Sequence, residues 1–443
     1  MNIQLSEHFT YKKLLKFTLP SMIMMVFTSI YGVVDGVFVS NFVGSAPFAA
    51  VNLIMPFLML LGTVGFMMGT GGSALISYTF GIGDSKKANE IFSLLIYVVI
   101  AVGAVFTVIG SIFLRPISVM LGADEALLPY CVTYGRIILL ALIPFMLQNV
   151  FQSFLVAAER PNFGLYITIA AGVTNMVLDA LFIAVFHWGV AGAALATMIS
   201  QFIGGLIPLF YFIFPNSSKL QLGKTTFDVR SLAKTCTNGA SEFMTNVSLS
   251  VVNMLYNWQL MRLLGADGVT VYGIIMYVDF VFIGIFIGYS MGSAPIVSYH
   301  YGAGNHKELQ GLLRKSLSLI GIFEICLTVM ALLLAKPLSM IFVSYDAELL
   351  ALTKHAFSIY SISFLLSGFN IYASSFFTAL NNGMISALIS FARTLVFEVL
   401  AVLLLPLVFG VNGIWCAVIV AEALTAVLSI SCLLANRKKY SYF

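Results

Sequence analysis

The sequence carries very little charge. Only 9% of its 443 residues are charged, with 22 Lys and Arg against 18 Asp and Glu, while 60% are hydrophobic. This composition excludes a soluble globular protein and is typical of an integral membrane protein. We therefore expect the protein to lie in a lipid bilayer. We do not expect it to bind nucleic acid, because its net charge of +4 comes from basic residues in the loops between membrane spans.

Motifs of covalent and metal chemistry are also missing. The five cysteines are scattered through apolar segments without a CxxC pair, which argues against a disulfide framework. The sequence contains no HExxH, GxSxG or Walker A motif and no paired histidines inside a membrane segment. The polar N-terminus runs directly into a full-length span, so we expect no cleavable signal. We predict that the protein is not an enzyme and has no cofactor.

Apolar runs bounded by Gly, Pro and charged residues predict an all-α membrane protein with about twelve spans. A polar linker at 215–232 separates an N-terminal lobe (1–214) from a C-terminal lobe (233–443). Lys and Arg cluster on the side of this linker, which predicts that both termini and the linker are cytoplasmic in a cell inner or plasma membrane. The predicted spans are 16–41, 47–78, 91–113, 129–158, 162–187, 189–214, 233–262, 269–298, 311–335, 349–380, 384–409 and 411–435.

The two halves repeat each other at a constant offset of 221 residues. Each half has an even number of spans, so both begin on the same side and the repeat is parallel. Such halves pack around an axis along the membrane normal with a substrate cavity between them. The matching positions are Ser77-Tyr78-x-x-Gly81 with Ser298-Tyr299-x-x-Gly302, Arg115-Pro116 with Lys336-Pro337, Gly189 with Gly410, and Gly44 with Gly265.

Asp35 in the first span and Asp179 in the fifth are acids inside the membrane, where ionisable residues are costly and usually functional. At 1.5 Å per residue both lie ~25–27 Å above the inner ends of their spans. Tyr134 and Thr197 descend from the outside to a similar depth, and Asn175 lies one helical turn from Asp179. These oxygens could bind Na⁺ or share a proton. The alternative is a polar network that only fixes packing.

The second half does not duplicate this acid pair, since Tyr256 and Leu400 stand at the equivalent positions. Glu242 and Arg393 both lie ~13 Å from the inner end of repeat-equivalent spans. We predict an ion pair between them, either structural or gating, because a neutralised charge is less costly in lipid than a free one. The remaining intramembrane acids of this half are Asp279, Glu324, Glu398 and Glu422.

Several motifs together resemble the multidrug and toxic compound extrusion (MATE) transporters, most closely their MepA-like branch. The resemblance covers essentially the whole chain. Its carriers are Pro20 with Val34-Asp35-x-x-Phe38-Val39, Asn175-x-x-x-Asp179, Gly189-Val190-Ala191-Gly192-Ala193-Ala194-Leu195-Ala196-Thr197, Asn238-Gly239-x-Ser241-Glu242, and Ala294-Pro295-Ile296-x-Ser298-Tyr299-x-Tyr301-Gly302-Ala303.

The resemblance implies two six-helix lobes in a V around a central cavity that opens alternately to each side. It implies a cation-coupling site of Asp35, Asn175, Asp179 and Thr197, which could hold Na⁺, with Tyr134 and Asn149 nearby. Glu242 matches the acid that other branches use in a second-lobe cation site. No clear acid of the tenth span accompanies it, because Asp346 and Glu348 lie at the outer mouth of that span. Glu242, Arg393 and Glu398 remain as polar or gating candidates.

On these grounds we predict a monomeric secondary active antiporter that exports amphipathic, often cationic drugs in exchange for H⁺ or Na⁺. The alternative is a flippase for lipid-linked oligosaccharides or lipids, which shares the broad architecture. A flippase cavity should be strongly basic in order to hold pyrophosphate. The intramembrane charges of this sequence are mostly acidic, which favours the antiporter.

Overall fold

A computed structural model describes residues 3–344 and 346–443, and every regular element within them is helical. Three short stretches depart from α-helical geometry: π-helical turns at Ala180–Val185 and Ala392–Phe397, and a 3₁₀ turn at Ser361–Ser363. The α-helices are α1 (Tyr11–Phe42), α2 (Ser45–Ile82), α3 (Ser85–Met120), α4 (Leu128–Leu140), α5 (Leu142–Ala157), α6 (Pro161–Asp179), α7 (Gly189–Ile213), α8 (Val229–Leu264), α9 (Ala266–Gly302), α10 (His306–Val343), α11 (Ala347–Tyr360), α12 (Phe364–Ala379), α13 (Gly383–Phe391), α14 (Glu398–Phe409) and α15 (Val411–Tyr440).

These helices form the predicted twelve crossings of a multi-pass membrane protein. Among the described residues, ten helical stretches are long and apolar enough to span a bilayer, and α4 with α5, bent by 55°, makes an eleventh. The twelfth is α8, whose 36 residues are long enough to span but include polar positions such as Asn238, Ser241 and Glu242. The polar residues of α8 lower its hydropathy, so this crossing is recognised from the length of the helix and its position in the repeat.

The internal repeat is confirmed by the helix boundaries. Helix α2 begins at Ser45 and α9 at Ala266, which is 221 residues later, and the same interval separates the starts of α3 and α10. Three repeated glycines adopt a left-handed backbone in both halves, which only glycine does without strain. These pairs are Gly44 and Gly265 (φ 108° and 65°), Gly83 and Gly304 (95° and 64°), and Gly189 and Gly410 (57° and 55°).

Within the described part of the chain, three hydrophobic cores hold the helices together. The first lies within residues 39–220, and the second lies within residues 252–418. The third joins Leu5, Phe9 and the start of α1 to side chains of α9, α10, α12 and α15. The beginning of the chain thus packs into the second lobe, although the rest of α1 belongs to the first.

The lobes meet through close helix crossings at glycine. Helix α1 crosses α9 where Gly292 faces Thr18, and a methyl group at Gly292 would lie 3.0 Å from the Thr18 Cα. The repeat-equivalent crossing joins α8 and α2, where Gly239 faces Gly71. In both crossings a side chain at the glycine would contact the opposite backbone, so the small residue sets the distance between the lobes.

The Ser-Tyr-x-x-Gly repeat forms the crossing between α2 and α9. A methyl group at Gly81 would overlap the Tyr299 carbonyl oxygen, and one at Gly302 would overlap the Tyr78 carbonyl oxygen. The two copies of the motif therefore pack against each other across the pseudo-twofold axis. All of these crossings lie toward the predicted cytoplasmic ends of their helices, so the lobes are in contact on that side.

Residues 3–10, which we call the N-terminal strap, connect the lobes at the same end. The Leu5 N–H donates to Glu159 Oε1 of the first lobe at 2.7 Å. The Phe9 N–H donates to Glu308 Oε1 of the second lobe at 2.8 Å, and the Lys315 ammonium donates to the Phe9 carbonyl. Leu5 and Phe9 are both buried.

Candidate functional site

Asp35 and Asp179 come together inside the first lobe. Asp35 is half-buried on α1, and Asp179 ends α6 with no exposed surface. The two carboxyl groups lie close to each other. Two ionised carboxylates are both acceptors, so they cannot bond to each other unless a proton or a cation lies between them. A π-helical turn starts directly after Asp179, and such turns often mark functional sites.

Several buried oxygens at this site have no hydrogen-bond partner among the described residues. They are Asp35 Oδ1, both carboxyl oxygens of Asp179 and Asn175 Oδ1. Asn175 is 2% exposed and lies one turn before Asp179 on α6. An unpartnered buried acceptor costs roughly 1–3 kcal/mol. The arrangement is thus suited to receive positive charge, as a proton or as a hard cation that prefers oxygen ligands.

Tyr134 and Thr197 complete the wall of this site. Tyr134, 1% exposed on α4, lies close to both acids and to Thr197 on α7. Its hydroxyl also contacts the Met55 sulfur at 3.8 Å. Asn149 is buried on α5, and its Nδ2 has no partner within the described part of the chain.

Two tyrosines at the site were missed by the sequence reasoning. Tyr31 lies four residues before Asp35 on the same face of α1, close to both Asp35 and Gln148. The i, i+4 spacing could have indicated it. Tyr277 of α9 in the second lobe lies near Asp35, since its hydroxyl would be 3.6 Å from a methyl group at the neighbouring Gly36. No local signal identifies Tyr277, because its position depends on how the lobes pack.

The predicted pair of Glu242 with Arg393 is wrong. Arg393 donates from Nε and Nη2 to Glu422 Oε1 of α15, at 2.9 and 2.6 Å. Glu422 also accepts from Ser367 at 3.0 Å and from Asn370 at 2.7 Å, so it is fully bonded. Arg393 lies in the π-helical turn, whose wider winding changes the direction of its side chain. Equal depth along two helices does not ensure that side chains face each other.

Glu242 and Glu398 have different surroundings. Glu242 is half-buried on α8, and it takes part in none of the ion pairs found among the described residues. Glu398 follows the π-helical turn and lies close to Arg393, Asp279 and Tyr256. The polar centre of the second lobe is therefore built around Arg393, with Glu422, Asp279 and Glu398 as its acids.

Among the described residues, neither lobe shows a ligand set typical of a transition metal. Within residues 3–344 and 346–443, no group of three or more His, Cys, Asp or Glu side chains converges on one point. The first-lobe site has two carboxylates with amide, hydroxyl and phenol oxygens, which suit H⁺ or Na⁺ better than Zn²⁺.

Comparison with known proteins finds a family model and relatives that match this chain. A family model described as MatE matches residues 20–181 and again residues 243–403, once in each half. The multidrug export protein MepA of Staphylococcus haemolyticus (strain JCSC1435) is 26% identical over 96% of this chain and 93% of its own length. MepA of Staphylococcus aureus (strain MRSA252) is 23% identical over 95% and 92%.

Solved structures share the fold. One, described as the outward-facing conformation of a multidrug resistance MATE family transporter, superposes with a TM-score of 0.92 at 21% identity, covering 99% of this chain and 98% of that one. Another is a transporter of the MOP superfamily from Pyrococcus furiosus, described as having a binding pocket of reverse polarity that suggests a different function. It has a TM-score of 0.90 at 21% identity over 98% and 97% of the two chains.

Proposed function

The chain belongs to the MatE family, and from that premise we propose that it is a multidrug export transporter that works as a secondary active antiporter. It exports amphipathic or cationic small molecules in exchange for H⁺ or Na⁺. Relatives named multidrug export proteins align along almost its whole length, which supports the export function. We place it in the cell membrane as a monomer with cytoplasmic termini, and we assign it no enzymatic activity.

The observation that carries the proposal is the pair of Asp35 and Asp179 with their unpartnered oxygens. Two carboxylates in a low-dielectric interior need a bound proton or Na⁺, since both cannot stay ionised at close range. The neutral oxygens of Asn175 and Thr197 would complete the shell of a sodium ion, with Tyr134 and Asn149 beside it. The pair thus supplies the ion-binding half of the exchange.

Coupling requires that the site bind its ion more tightly in one conformation than in the other. Asp35 lies on α1, and this helix packs along α9 of the other lobe from Thr18 to Ser29. The Ser29 hydroxyl donates to the Phe280 carbonyl of α9 at 2.9 Å. Tyr277 of α9 lies beside Asp35 itself. A rotation of one lobe against the other would therefore change the surroundings of Asp35 directly, and this links ion release to opening.

The flippase alternative is disfavoured by the sign of the interior charge. Asp35, Asp179, Asp279 and Glu398 have no bonded base among the described residues, and the Arg393 guanidinium is held by Glu422. A pyrophosphate group would be repelled by such an interior. The same charge favours cationic cargo, so antiport of cations remains the better proposal.

Everted membrane vesicles test the proposal. A cationic dye should accumulate in them under an imposed pH gradient or an imposed Na⁺ gradient, and comparing the two identifies the ion. The purified Asp35→Asn variant should still bind the dye. Vesicles that contain this variant should accumulate no more dye than vesicles without the transporter. Asp267→Asn, an exposed acid in the first turn of α9, is the matched control and should transport normally. Transport by Asp35→Asn near the wild-type rate would refute the assignment.

A further inference from the structure

The fourth span of each lobe is interrupted at the same place. In the first lobe, α4 and α5 meet at Ala141 with a bend of 55°. In the second lobe, α11 and α12 meet at the 3₁₀ turn Ser361–Ser363, and there they continue as one span, Ala347–Ala379. The turns that end α5 and α12 each have a left-handed residue, Glu159 (φ 60°) and Asn381 (φ 56°), which lie 222 positions apart. This interval places Ala141 on the 3₁₀ turn.

A proline explains the bend in the first lobe. Pro144 lies in the first turn of α5, where its ring crowds the carbonyl of Leu140 and removes a backbone donor. The interval of 222 residues places Leu366 at this position of α12. The bend of the first lobe is therefore fixed by the chain itself, whereas no proline fixes the angle of the second-lobe break. A 3₁₀ turn in the middle of a span often marks a hinge.

A buried acid holds α12 directly after this turn. Glu324 of α10 is 7% exposed, and its Oε1 accepts from the Phe369 N–H at 2.7 Å. A methyl group at Gly368 would lie 3.1 Å from the same oxygen, so the glycine admits the carboxyl group to the backbone. In the first lobe the sizes are exchanged, since the matching pair is Gly103 with Met146. The acid is therefore a feature of the second lobe alone.

The same stretch of α12 is also tied to α15. Ser367 donates to Glu422 Oε1 at 3.0 Å, and Asn370 donates to Glu422 Oε2 at 2.7 Å. From α11, by contrast, His355 bonds to Asn412 at 2.9 Å at an exposed position. The part of the span after the turn is thus held on two sides, by α10 and α15, whereas this hydrogen bond from the part before the turn is open to the surroundings.

We propose that α11 pivots at Ser361–Ser363 during transport, and that Glu324 is the positioning residue that keeps α12 in place as the fixed arm of this hinge. The inference rests on the proposed export function and adds a movement inside the second lobe to the rotation of one lobe against the other. The Ser361 hydroxyl donates to the Phe357 carbonyl at 2.6 Å, a contact that favours bending of a helix. In the predicted topology α11 is the outer half of its span, so the pivot changes the width of the outer opening.

Spin-label distances within the second lobe test the hinge in the full-length protein. The five native cysteines are replaced by alanine, in a variant that still exports ethidium. Labels at the exposed positions Lys354 of α11 and Arg437 of α15 follow the moving arm, and labels at Leu365 and Arg437 follow the fixed arm. Double electron–electron resonance should show that the first distance changes with ethidium and with pH, while the second stays constant. A rigid rotation of the lobes changes neither distance, because both pairs lie in one lobe.

Two substitutions test the role of Glu324. Glu324→Gln keeps an oxygen that can accept from the Phe369 N–H, so it should export ethidium at close to the wild-type rate. Glu324→Ala removes this oxygen and should lower the maximal export rate roughly tenfold, as expected for a lost hydrogen bond to a charged group. It should also broaden the Leu365–Arg437 distance. Gly321→Ala on the same helix meets no atom within 4 Å and is the matched control.

The outcomes separate the hinge from the function on which it rests. If wild-type protein pumps ethidium while the Lys354–Arg437 distance stays the same under every condition, the hinge is overturned and the export function stands. If this distance changes with pH but vesicles do not pump the dye, the hinge stands and the export proposal fails.

The role of Glu324 is judged separately. Equal losses in Glu324→Gln and Glu324→Ala would overturn it, because the accepting oxygen would then be irrelevant. Should Glu324→Ala fail to fold, Leu366→Pro provides a second variant, since it copies the proline of the first lobe. It should fix the Lys354–Arg437 distance and abolish export, and normal export by Leu366→Pro would overturn the hinge.

Discussion

In the first lobe, Asp35 and Asp179 lie close together with no bonded base among the described residues, whereas in the second lobe Arg393 is bonded to Glu422. The residues 221 positions before Arg393 and Glu422 are Gly172 and Gln201, so the ion pair has no counterpart. The repeated residues include the glycines that set turns and helix crossings, whereas the intramembrane acids Asp35 and Asp179 and the Arg393–Glu422 pair are not repeated. Backbone geometry is therefore common to both lobes, while chemistry is divided between them.

The largest effect should come from removing the first-lobe acids. Asp179→Asn should abolish gradient-driven dye efflux as Asp35→Asn does, and the double variant should be no worse than either single one, because both acids serve one ion. Dye efflux and equilibrium dye binding should be measured in parallel. Losses that add in the double variant would mean that the two acids act separately.

Breaking the second-lobe ion pair should lower stability rather than coupling. Arg393→Gln or Glu422→Gln leaves a buried charge or its partners unpaired, which typically costs about 3–5 kcal/mol of unfolding free energy. The double variant Arg393→Met with Glu422→Met should cost clearly less than the sum. Unfolding in mixed micelles measures both.

A matched cycle with Glu242→Gln separates the two possible partners of Arg393. Glu242 makes no ion pair among the described residues, so its substitution should add to that of Arg393. Strong coupling of Arg393 to Glu242, and none to Glu422, would contradict the observed geometry.

Gly→Ala substitutions at the helix crossings should lower stability equally in both lobes. Gly81→Ala and Gly302→Ala each place a methyl group against a carbonyl oxygen of the opposite helix, so each should cost about 1–3 kcal/mol of stability. Gly273→Ala in α9 meets no atom within 4 Å and should be nearly neutral. Thermal unfolding in detergent compares the three. Unequal losses at Gly81 and Gly302 would show that the pseudo-symmetry does not extend to energetics.

The smallest effect should arise where the linker enters the second lobe. Asp228 caps α8, and Lys87 of the first lobe, with help from Ser231, holds the pKa of its carboxyl below the usual range. A lowered pKa means that the contribution to stability is present above about pH 4 and is lost as the pH falls.

Two substitutions divide this contribution. Asp228→Asn keeps the cap and removes the charge, so it should change stability by no more than about 1 kcal/mol and abolish the pH-dependent part. Asp228→Ala also removes the cap and should cost more. Titrating thermal stability from pH 7 to pH 3 distinguishes them, and an unchanged pH dependence in Asp228→Asn would assign it to another group.

Most of the fold could be predicted from the sequence because its signals are local. Apolar runs and repeated glycines report on length and backbone, and they identified twelve crossings, including the polar α8. Side-chain direction is not local. The π-helical turn at Ala392–Phe397 cannot be seen in a hydropathy pattern, and for this reason counting the rise per residue paired Arg393 with the wrong acid. Tyr277 was missed because it approaches Asp35 from the other lobe.

The N-terminal strap has a mechanical consequence. Its two anchoring amides, Leu5 and Phe9, are four residues apart, and an extended chain spans at most about 14 Å over that length. While both hydrogen bonds hold, at 2.7 and 2.8 Å, the bonded oxygens of Glu159 and Glu308 cannot lie farther apart than about 20 Å. The N-terminal strap therefore limits how far the two lobes can move apart on the cytoplasmic side. Adding residues between Leu5 and Phe9 would increase the largest separation that it allows.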